Sequence, residues 1–316
     1  MIDKNSMFDP KDVMIDIVIR QNCPICNSDC APRFKLDQFD VMYCNVCDFQ
    51  FVRSIRSASS ISMFYENGYD NIRHIHGQQV NASVNINVLA KLVPEISHKT
   101  LLDIGSGYGF FLKMSAKVHK ITGTGVELSH AERKYAKDIL KIKTYNDIKS
   151  LPKKIKYDVV TAFEVIEHVA DPVEFVRSLI DFIKIDGYLI IATDNFSSGV
   201  VRSLGEGFPK WIPHEHISYF NSNSIVQLMK KFDQLHYVNS CSFTPWELEL
   251  RSLVSCLSRG RYGKFKYIFS DFNGIARNKG YFMFGLRLLI NSIWARLSMR
   301  KNLNGEMMYV CYKRIN

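Results

Sequence analysis

Three glycines at alternate positions form the segment of this sequence with the clearest chemical meaning. The segment Leu101-Leu102-Asp103-Ile104-Gly105-Ser106-Gly107-Tyr108-Gly109 precedes an apolar helical run, which predicts a strand, a tight turn and a helix. Glycine permits positive φ angles and leaves no Cβ between the backbone and a ligand. Asp103 stands where a carboxylate would repel a pyrophosphate, and the spacing differs from the Gly-x-Gly-x-x-Gly of dinucleotide-binding turns. The turn therefore predicts a site for a cationic ligand.

Two further carboxylates support a particular ligand. S-adenosylmethionine carries an ammonium and a sulfonium, so it suits such a turn better than NAD. Glu127 closes a second strand-like segment, where its carboxylate can accept hydrogen bonds from both hydroxyls of a ribose. Asp147 follows a third strand-like segment, where we expect it to face the adenine amino group. We therefore predict S-adenosylmethionine as the cofactor.

The elements that must position these residues alternate between strands and helices. Further strand-like segments cover residues 157–164 and 187–193. Ser129 and Glu132 form a capping box that begins the helix after the second strand. This alternation predicts a doubly wound parallel α/β sheet with its ligand at the carboxyl ends of the strands.

Over about residues 95–240, the chain resembles the class I S-adenosylmethionine-dependent methyltransferases. The resemblance rests on the glycine turn, Glu127, Asp147 and the segment Phe163-Glu164-Val165-Ile166-Glu167-His168. It implies a seven-stranded Rossmann-like sheet in which Gly105, Gly107 and Gly109 hold the methionine part. It also implies that Glu127 binds the ribose, that Asp147 faces the adenine, and that Phe163, Glu164 and His168 line the floor of the site.

Four N-terminal cysteines have the spacing of a metal site. Cys23 and Cys26 form one Cys-x-x-Cys pair, Cys44 and Cys47 form another, and seventeen residues separate the pairs. Each two-residue gap lets one tight turn supply two thiolate ligands, which predicts a closed, tetrahedral structural zinc site in a small ribbon. The other cysteines lack such spacing and are expected to be small core residues: Cys30, Cys241, Cys256 and Cys311.

A zinc ribbon followed by a methyltransferase fold resembles the sugar methyltransferases of surface-polysaccharide and deoxysugar pathways. In these enzymes a Glu-His pair after the fifth strand serves the reaction, and it matches Glu215-His216 here. The resemblance implies that His216 is the general base and that Glu215 orients it or binds the acceptor. His214 is the alternative base. The competing interpretation is that both histidines only make hydrogen bonds within a loop.

Aromatic residues near these elements are candidates for contact with the acceptor. Trp211 opens the segment that contains the histidines, and Tyr65 and Tyr69 follow the ribbon. The alternative for the two tyrosines is packing in the seam between the ribbon and the sheet.

Basic residues are concentrated near the C-terminus. Residues 259–301 contain ten Lys or Arg and one acid, Asp271, so this region carries +9 of the formal net charge of +10. The region falls between strand-like segments 236–241 and 307–312, which makes residues 244–305 an insertion before the last strand. One face of a predicted helix there collects the apolar residues Phe282, Leu286, Leu289, Ile290, Ile293 and Leu297. That face either packs on the sheet or a second subunit, or lies on an anionic membrane.

These observations predict a zinc ribbon with an N-terminal extension over 1–58, a helical linker or lid over 59–98, and a methyltransferase domain over 99–316. The predicted activity is O-methylation of a sugar or glycan hydroxyl, with a nucleotide- or lipid-linked acceptor among the candidates. C-methylation of a keto-sugar and an RNA-binding methyltransferase remain as alternatives, the latter ranked lower. Because no secretory signal is apparent at the start of the chain, we expect a cytoplasmic protein, with the inner face of the membrane as a further location.

Overall fold

The computed structural model describes residues 16–68, 74–257 and 280–316. Its N-terminal part is a set of short antiparallel strands. Their bounds are β1 (Ile17–Ile19), β2 (Ala31–Leu36), β3 (Phe39–Cys44), β4 (Phe49–Val52) and β5 (Ser54–Arg56). β1 pairs with β5, and β2, β3 and β4 form a meander. Two helices, α1 (Ala58–Gly68) and α2 (His74–Leu92), connect these strands to the large sheet.

The large sheet has seven strands. In chain order they are β6 (Thr100–Ile104), β7 (Thr122–Val126), β8 (Lys143–Tyr145), β9 (Tyr157–Phe163), β10 (Ile183–Asp194), β12 (Leu235–Phe243) and β13 (Met307–Arg314). Their spatial order is β12-β13-β10-β9-β6-β7-β8. β13 runs antiparallel between β10 and β12, and the pairs from β10 to β8 are parallel. The predicted doubly wound sheet of seven strands is confirmed.

Helices cover both faces of this sheet because successive side chains of a strand point to opposite sides. Leu101 packs in one apolar cluster with residues of α2, whereas Leu102 packs in another with Val176 and Leu179. The helices around the sheet are α3 (Phe110–His119), α4 (His130–Asp138), α5 (Pro172–Ile180), α6 (Gly199–Leu204) and α7 (Ser222–Met229). Ser129 caps α4 by accepting a hydrogen bond from the Glu132 backbone N–H, which is one half of the predicted capping box. The Ser129 backbone N–H donates to Glu127 Oε1.

The segment after β10 joins the ribbon to the large sheet. A two-residue strand, β11 (Ser218–Tyr219), pairs antiparallel with β4, so the ribbon sheet has the order β11-β4-β3-β2. Arg20 strengthens the junction: its guanidinium donates hydrogen bonds to the carbonyl oxygens of Val52 and Ile217. The segment that carries the candidate base is therefore held by the ribbon.

Between β12 and β13 the described residues form two helices, as expected for the insertion: α8 (Trp246–Leu257) and α9 (Gly280–Ser298). α9 packs against α2 and buries Asn291 and Ala295. The apolar face predicted for this helix points elsewhere, since Leu289, Ile290, Ile293 and Leu297 are exposed. The side chains of Phe282 and Leu286 lie outside the described residues. Within the described ranges, no helix combines the length and apolar character needed to cross a membrane.

Candidate active site

The glycine turn lies at the carboxyl end of β6 and is shaped for close approach. Gly105 and Gly107 have φ angles of 71° and 54°, which L side chains rarely adopt. A Cβ at Gly105 would lie 2.4 Å from Val165 Cγ2. Asp103, two residues before Gly105, is buried and accepts a hydrogen bond of 2.7 Å from Thr161 Oγ1. Burial raises the pKa of Asp103 to about 7 against the opposing effect of the Thr161 hydroxyl.

Glu127 connects the turn to the second strand. Its carboxylate accepts backbone hydrogen bonds of 2.8 Å from Gly107 and from Ser129. Burial raises the pKa of this carboxyl although these two donors favour its charged form. The Glu127 carboxylate therefore joins the loop after β6 to the loop after β7, and it lies beside the glycine turn.

Gln78 on α2 is a site residue that sequence reasoning missed. Its Oε1 accepts a hydrogen bond of 2.9 Å from the Tyr108 backbone N–H, and its Nε2 donates to Glu132 Oε1 at 2.9 Å. A Cβ on Gly107 would collide with this amide at 2.2 Å. No motif marks Gln78, because its partners are 30 and 54 positions away in the chain.

The other predicted cofactor residues surround the same edge of the sheet. Asp147 caps a short 3-10 helix by accepting a hydrogen bond from the Lys149 backbone N–H. Phe163 packs between Phe111 and Tyr309, at ring-centroid distances of 5.2 and 5.7 Å. The structure thus places Phe163 in a packed aromatic cluster at the end of β9.

Glu164, the next residue, has a positive φ of 55°. Its carboxylate accepts a hydrogen bond of 2.8 Å from Asn81 Nδ2. It also lies 3.2 Å from Lys210 Nζ, so it belongs to a charged cluster as well as to the predicted floor of the site.

Two histidines and a glutamate meet beyond the ends of β9 and β10. The side-chain ligand atoms of Glu167, His168 and His216 all lie within 4.8 Å of one another. The rings of His168 and His216 are 4.7 Å apart in an edge-to-face arrangement. His168 Nδ1 lies 3.0 Å from the carbonyl oxygen of Glu215, to which it can donate. Burial lowers the pKa of His168. Burial, together with the nearby Glu164, raises the pKa of Glu167 to about 8.

The carboxylate that faces His216 is Asp194, at the end of β10. His216 Nδ1 lies 3.7 Å from Asp194 Oδ2, and among the described residues neither atom has a hydrogen-bond partner. Glu215, which the resemblance assigns to this role, instead places its carboxylate 3.7 Å from His214 Nε2. Burial lowers the pKa of His216 well below its ordinary value, and the nearby His168 and Lys210 lower it further. A neutral imidazole at neutral pH can accept a proton.

A cluster of charged side chains lies beside Asp194 and His216. The Lys210 ammonium contacts Asp194, lies 3.1 Å from Glu306 Oε1 and reaches Glu164. Burial alone would lower the pKa of Lys210, but these three carboxylates raise it well above its ordinary value. Burial raises the pKa of Asp194 despite the nearby ammonium. Asp194, Lys210 and Glu306 belong to no motif, so nothing local in the sequence reveals them.

The aromatic acceptor candidates differ in position. The Tyr65 hydroxyl lies 3.3 Å from His168 Nδ1, at the site. Trp211 packs against Phe196 and Tyr219, at centroid distances of 4.7 and 4.9 Å, and against Phe34 of the ribbon. Tyr69 lies outside the described residues.

The two cysteine pairs of the ribbon come together. The Sγ atoms of Cys23, Cys26, Cys44 and Cys47 lie within 4.8 Å of one another, and those of Cys26 and Cys44 are 3.5 Å apart. Backbone N–H groups donate to Cys23 and Cys44 Sγ, as is usual for thiolates in tight turns. Tetrahedral zinc with Zn–S bonds of about 2.3 Å requires sulfur atoms roughly 3.8 Å apart, so this arrangement fits the metal. Cys30 donates to the carbonyl of Ser28.

Comparison with known proteins identifies the family. A family model described as a methyltransferase domain matches residues 57–233. This chain belongs to that methyltransferase family. The match begins at the end of the ribbon strands and covers the glycine turn, Glu127 and both histidines of the site.

Individual relatives are similar to this chain over only part of its length. A ubiquinone biosynthesis O-methyltransferase of Nitrosomonas europaea is 30% identical over 122 residues, which are 35% of this chain and 51% of that protein. Its counterpart from Rickettsia akari is 28% identical over 44% of this chain and 59% of that protein. This methyltransferase therefore spans about half to three fifths of the length of these relatives.

A solved structure shares the fold. It is a methyltransferase of Thermotoga maritima described as a possible histamine N-methyltransferase. It aligns with 77% of this chain and 93% of its own, with a TM-score of 0.50 and 15% identity. At that identity the likeness concerns the fold alone.

Proposed function

We propose that this methyltransferase methylates a hydroxyl oxygen of a sugar or glycan, with His216 as the general base. The observation that carries the proposal is the His216 imidazole, which burial keeps neutral and which lies at the carboxyl ends of β9 and β10. Relatives named O-methyltransferases support oxygen as the acceptor atom. The ribbon, which holds the His216 segment through β11, supports an acceptor of the sugar type by resemblance.

The residues of the site have separate tasks in this reaction. S-adenosylmethionine, when bound, would supply an activated methyl group for transfer to the acceptor oxygen. The His216 ring takes the hydroxyl proton. Asp194 faces Nδ1 of that ring at 3.7 Å and stabilises the imidazolium that results, while His168 and Tyr65 border the space for the acceptor. Glu127 and the glycine turn hold the cofactor.

We also propose that Cys23, Cys26, Cys44 and Cys47 hold one structural zinc ion. Their sulfur atoms form a closed set, so the metal has no open position for chemistry. Its contribution is to fold the ribbon, and β4 of that ribbon pairs with β11 beside His216. Zinc therefore stabilises the active-site segment indirectly.

The test of the proposed activity uses a labelled methyl donor. The protein is incubated with nucleotide-linked sugars, cell glycans, a catechol and RNA, and the label in each fraction is counted. Transfer to a sugar hydroxyl supports the proposal. Transfer to the catechol alone would overturn a sugar acceptor, transfer to carbon would overturn O-methylation, and transfer to RNA alone would favour the RNA methyltransferase.

The general base is tested with His216→Ala, which should lower turnover roughly 10²–10⁴-fold while cofactor affinity stays nearly unchanged. Because the pKa of His216 is lowered, the wild-type rate should fall only well below pH 6.5, and the variant should lose this acidic limb. His236→Ala, at an exposed position of β12, is the matched control. A normal rate in His216→Ala with a loss in His214→Ala would assign the base to His214 instead.

A further inference from the structure

The described helices between β12 and β13 each expose apolar side chains. These are Leu253 and Leu257 on α8 and Leu289, Ile290, Ile293 and Leu297 on α9, which together we call the outer face. The two terminal leucines are the most open, with 75% and 80% of Leu257 and Leu297 exposed. Helical spacing places the members on one side of each helix. We propose that the outer face lies on an anionic lipid surface.

The opposite sides of these helices are already engaged. In α9, Ala295 is fully buried, the Trp294 indole donates a hydrogen bond of 2.8 Å to the carbonyl oxygen of Thr244, and Arg296 donates to Asn87 of α2. In α8, Leu248 is buried and Ser255 donates to the carbonyl oxygen of Ser203. A small rotation of either helix that buried the outer face would therefore break these existing contacts.

The charge of the insertion favours lipid as the occupant. Residues 259–301 hold ten Lys or Arg and one acid, and six of these basic residues fall between the end of α8 and the start of α9 in the chain. The same interval contains Tyr262, Phe265 and Tyr267. A sequence rich in basic, aliphatic and aromatic residues is the composition of segments that bind the interface of anionic bilayers.

Other occupants fit less well. A second copy of this chain would bring two strongly positive insertions together, which is unfavourable at low ionic strength. RNA would neutralise the charge but leave six aliphatic side chains without a partner. Anionic lipid would satisfy both the net positive charge of the insertion and the aliphatic side chains of the outer face, because it offers negative headgroups and an acyl region.

The test is sedimentation of the full-length protein with vesicles of phosphatidylcholine, with or without about one third phosphatidylglycerol. We expect binding to the anionic vesicles, weakened by salt. Leu253→Asn/Leu297→Asn should reduce that binding at least tenfold. Val118→Asn/Ile139→Asn, at comparably exposed positions outside the insertion, should bind as the wild type does. Circular dichroism confirms that both variants remain folded.

Several outcomes would overturn the proposal. These are no binding to anionic vesicles, equal binding by the two double variants, or tighter binding to RNA than to vesicles. Light scattering that shows a dimer lost only in Leu253→Asn/Leu297→Asn would assign the face to self-association. Hydrogen exchange that shows the face protected by residues 258–279 without vesicles would also overturn it. None of these measurements uses methyl transfer, so their result is independent of the proposed activity.

Discussion

Lys210 is the partly buried cation, with 23% of its side chain exposed, on which the charged cluster beside His216 depends. Its ammonium contacts Asp194 and lies 3.1 Å from Glu306, and both of these carboxylate side chains are 0% exposed. Removing one partner of a buried ion pair costs about 3–5 kcal/mol because the remaining charge has lost both water and counterion. We expect Lys210→Met to lower the free energy of unfolding by about that amount, or the melting temperature by roughly 6–15 °C.

Circular dichroism during thermal and urea unfolding measures this loss. Lys184→Met is the matched control: its ammonium lies 2.9 Å from Asp158, but 44% of the lysine side chain is exposed, so the loss should be at most about 1 kcal/mol. Lys210→Met/Glu306→Gln should recover part of the stability because it removes one uncompensated charge. The loss in Lys210→Met should also be smaller at pH 5 than at pH 8, since protonated carboxyls need no counterion. Equal losses in the two lysine variants, or no recovery in the double variant, would refute the reasoning.

Three further predictions concern the cofactor, the metal and pH. Glu127→Ala should weaken S-adenosylmethionine binding by about 1.5–3 kcal/mol, or one to two decades, in calorimetry; unchanged affinity would contradict its assignment to the ribose. Elemental analysis of the purified protein should find one zinc per chain, and Cys44→Ser should unfold the ribbon and lower methyl transfer; a metal-free protein with a folded ribbon would exclude the site. Because Glu167 and Asp103 have pKa values raised to about 8 and about 7, the folded state keeps protons that the unfolded chain releases at lower pH. The free energy of unfolding should therefore fall as pH rises from about 5 to 8, and Glu167→Gln should flatten that dependence; an unchanged slope in the variant would contradict it.

Local patterns in the sequence predict the sheet correctly, and the glycine turn lies at the end of β6 where the sequence places it. The apolar runs of β6, β9 and β10 and the glycine turn are short-range signals, because strand periodicity and positive φ depend on neighbouring residues. The place of the insertion between β12 and β13 follows from the same signals. The apolar stripe of α9 is also visible in the sequence. Which side of the helix packs against the protein is not visible, because a side with a small residue such as Ala295 can also be the buried one.

The sequence by itself determines the family, the glycine turn with Glu127, and the two cysteine pairs, because each is a compact motif whose chemistry lies in neighbouring residues. Only the tertiary structure decides that Asp194 rather than Glu215 faces His216, that Lys210 joins Asp194 to Glu306, and that Gln78 covers the glycine turn. It also decides that β11 ties the His216 segment to the ribbon. These contacts join residues far apart in the chain, and only the folding of β4, α2, β10 and β13 around one site brings them within reach.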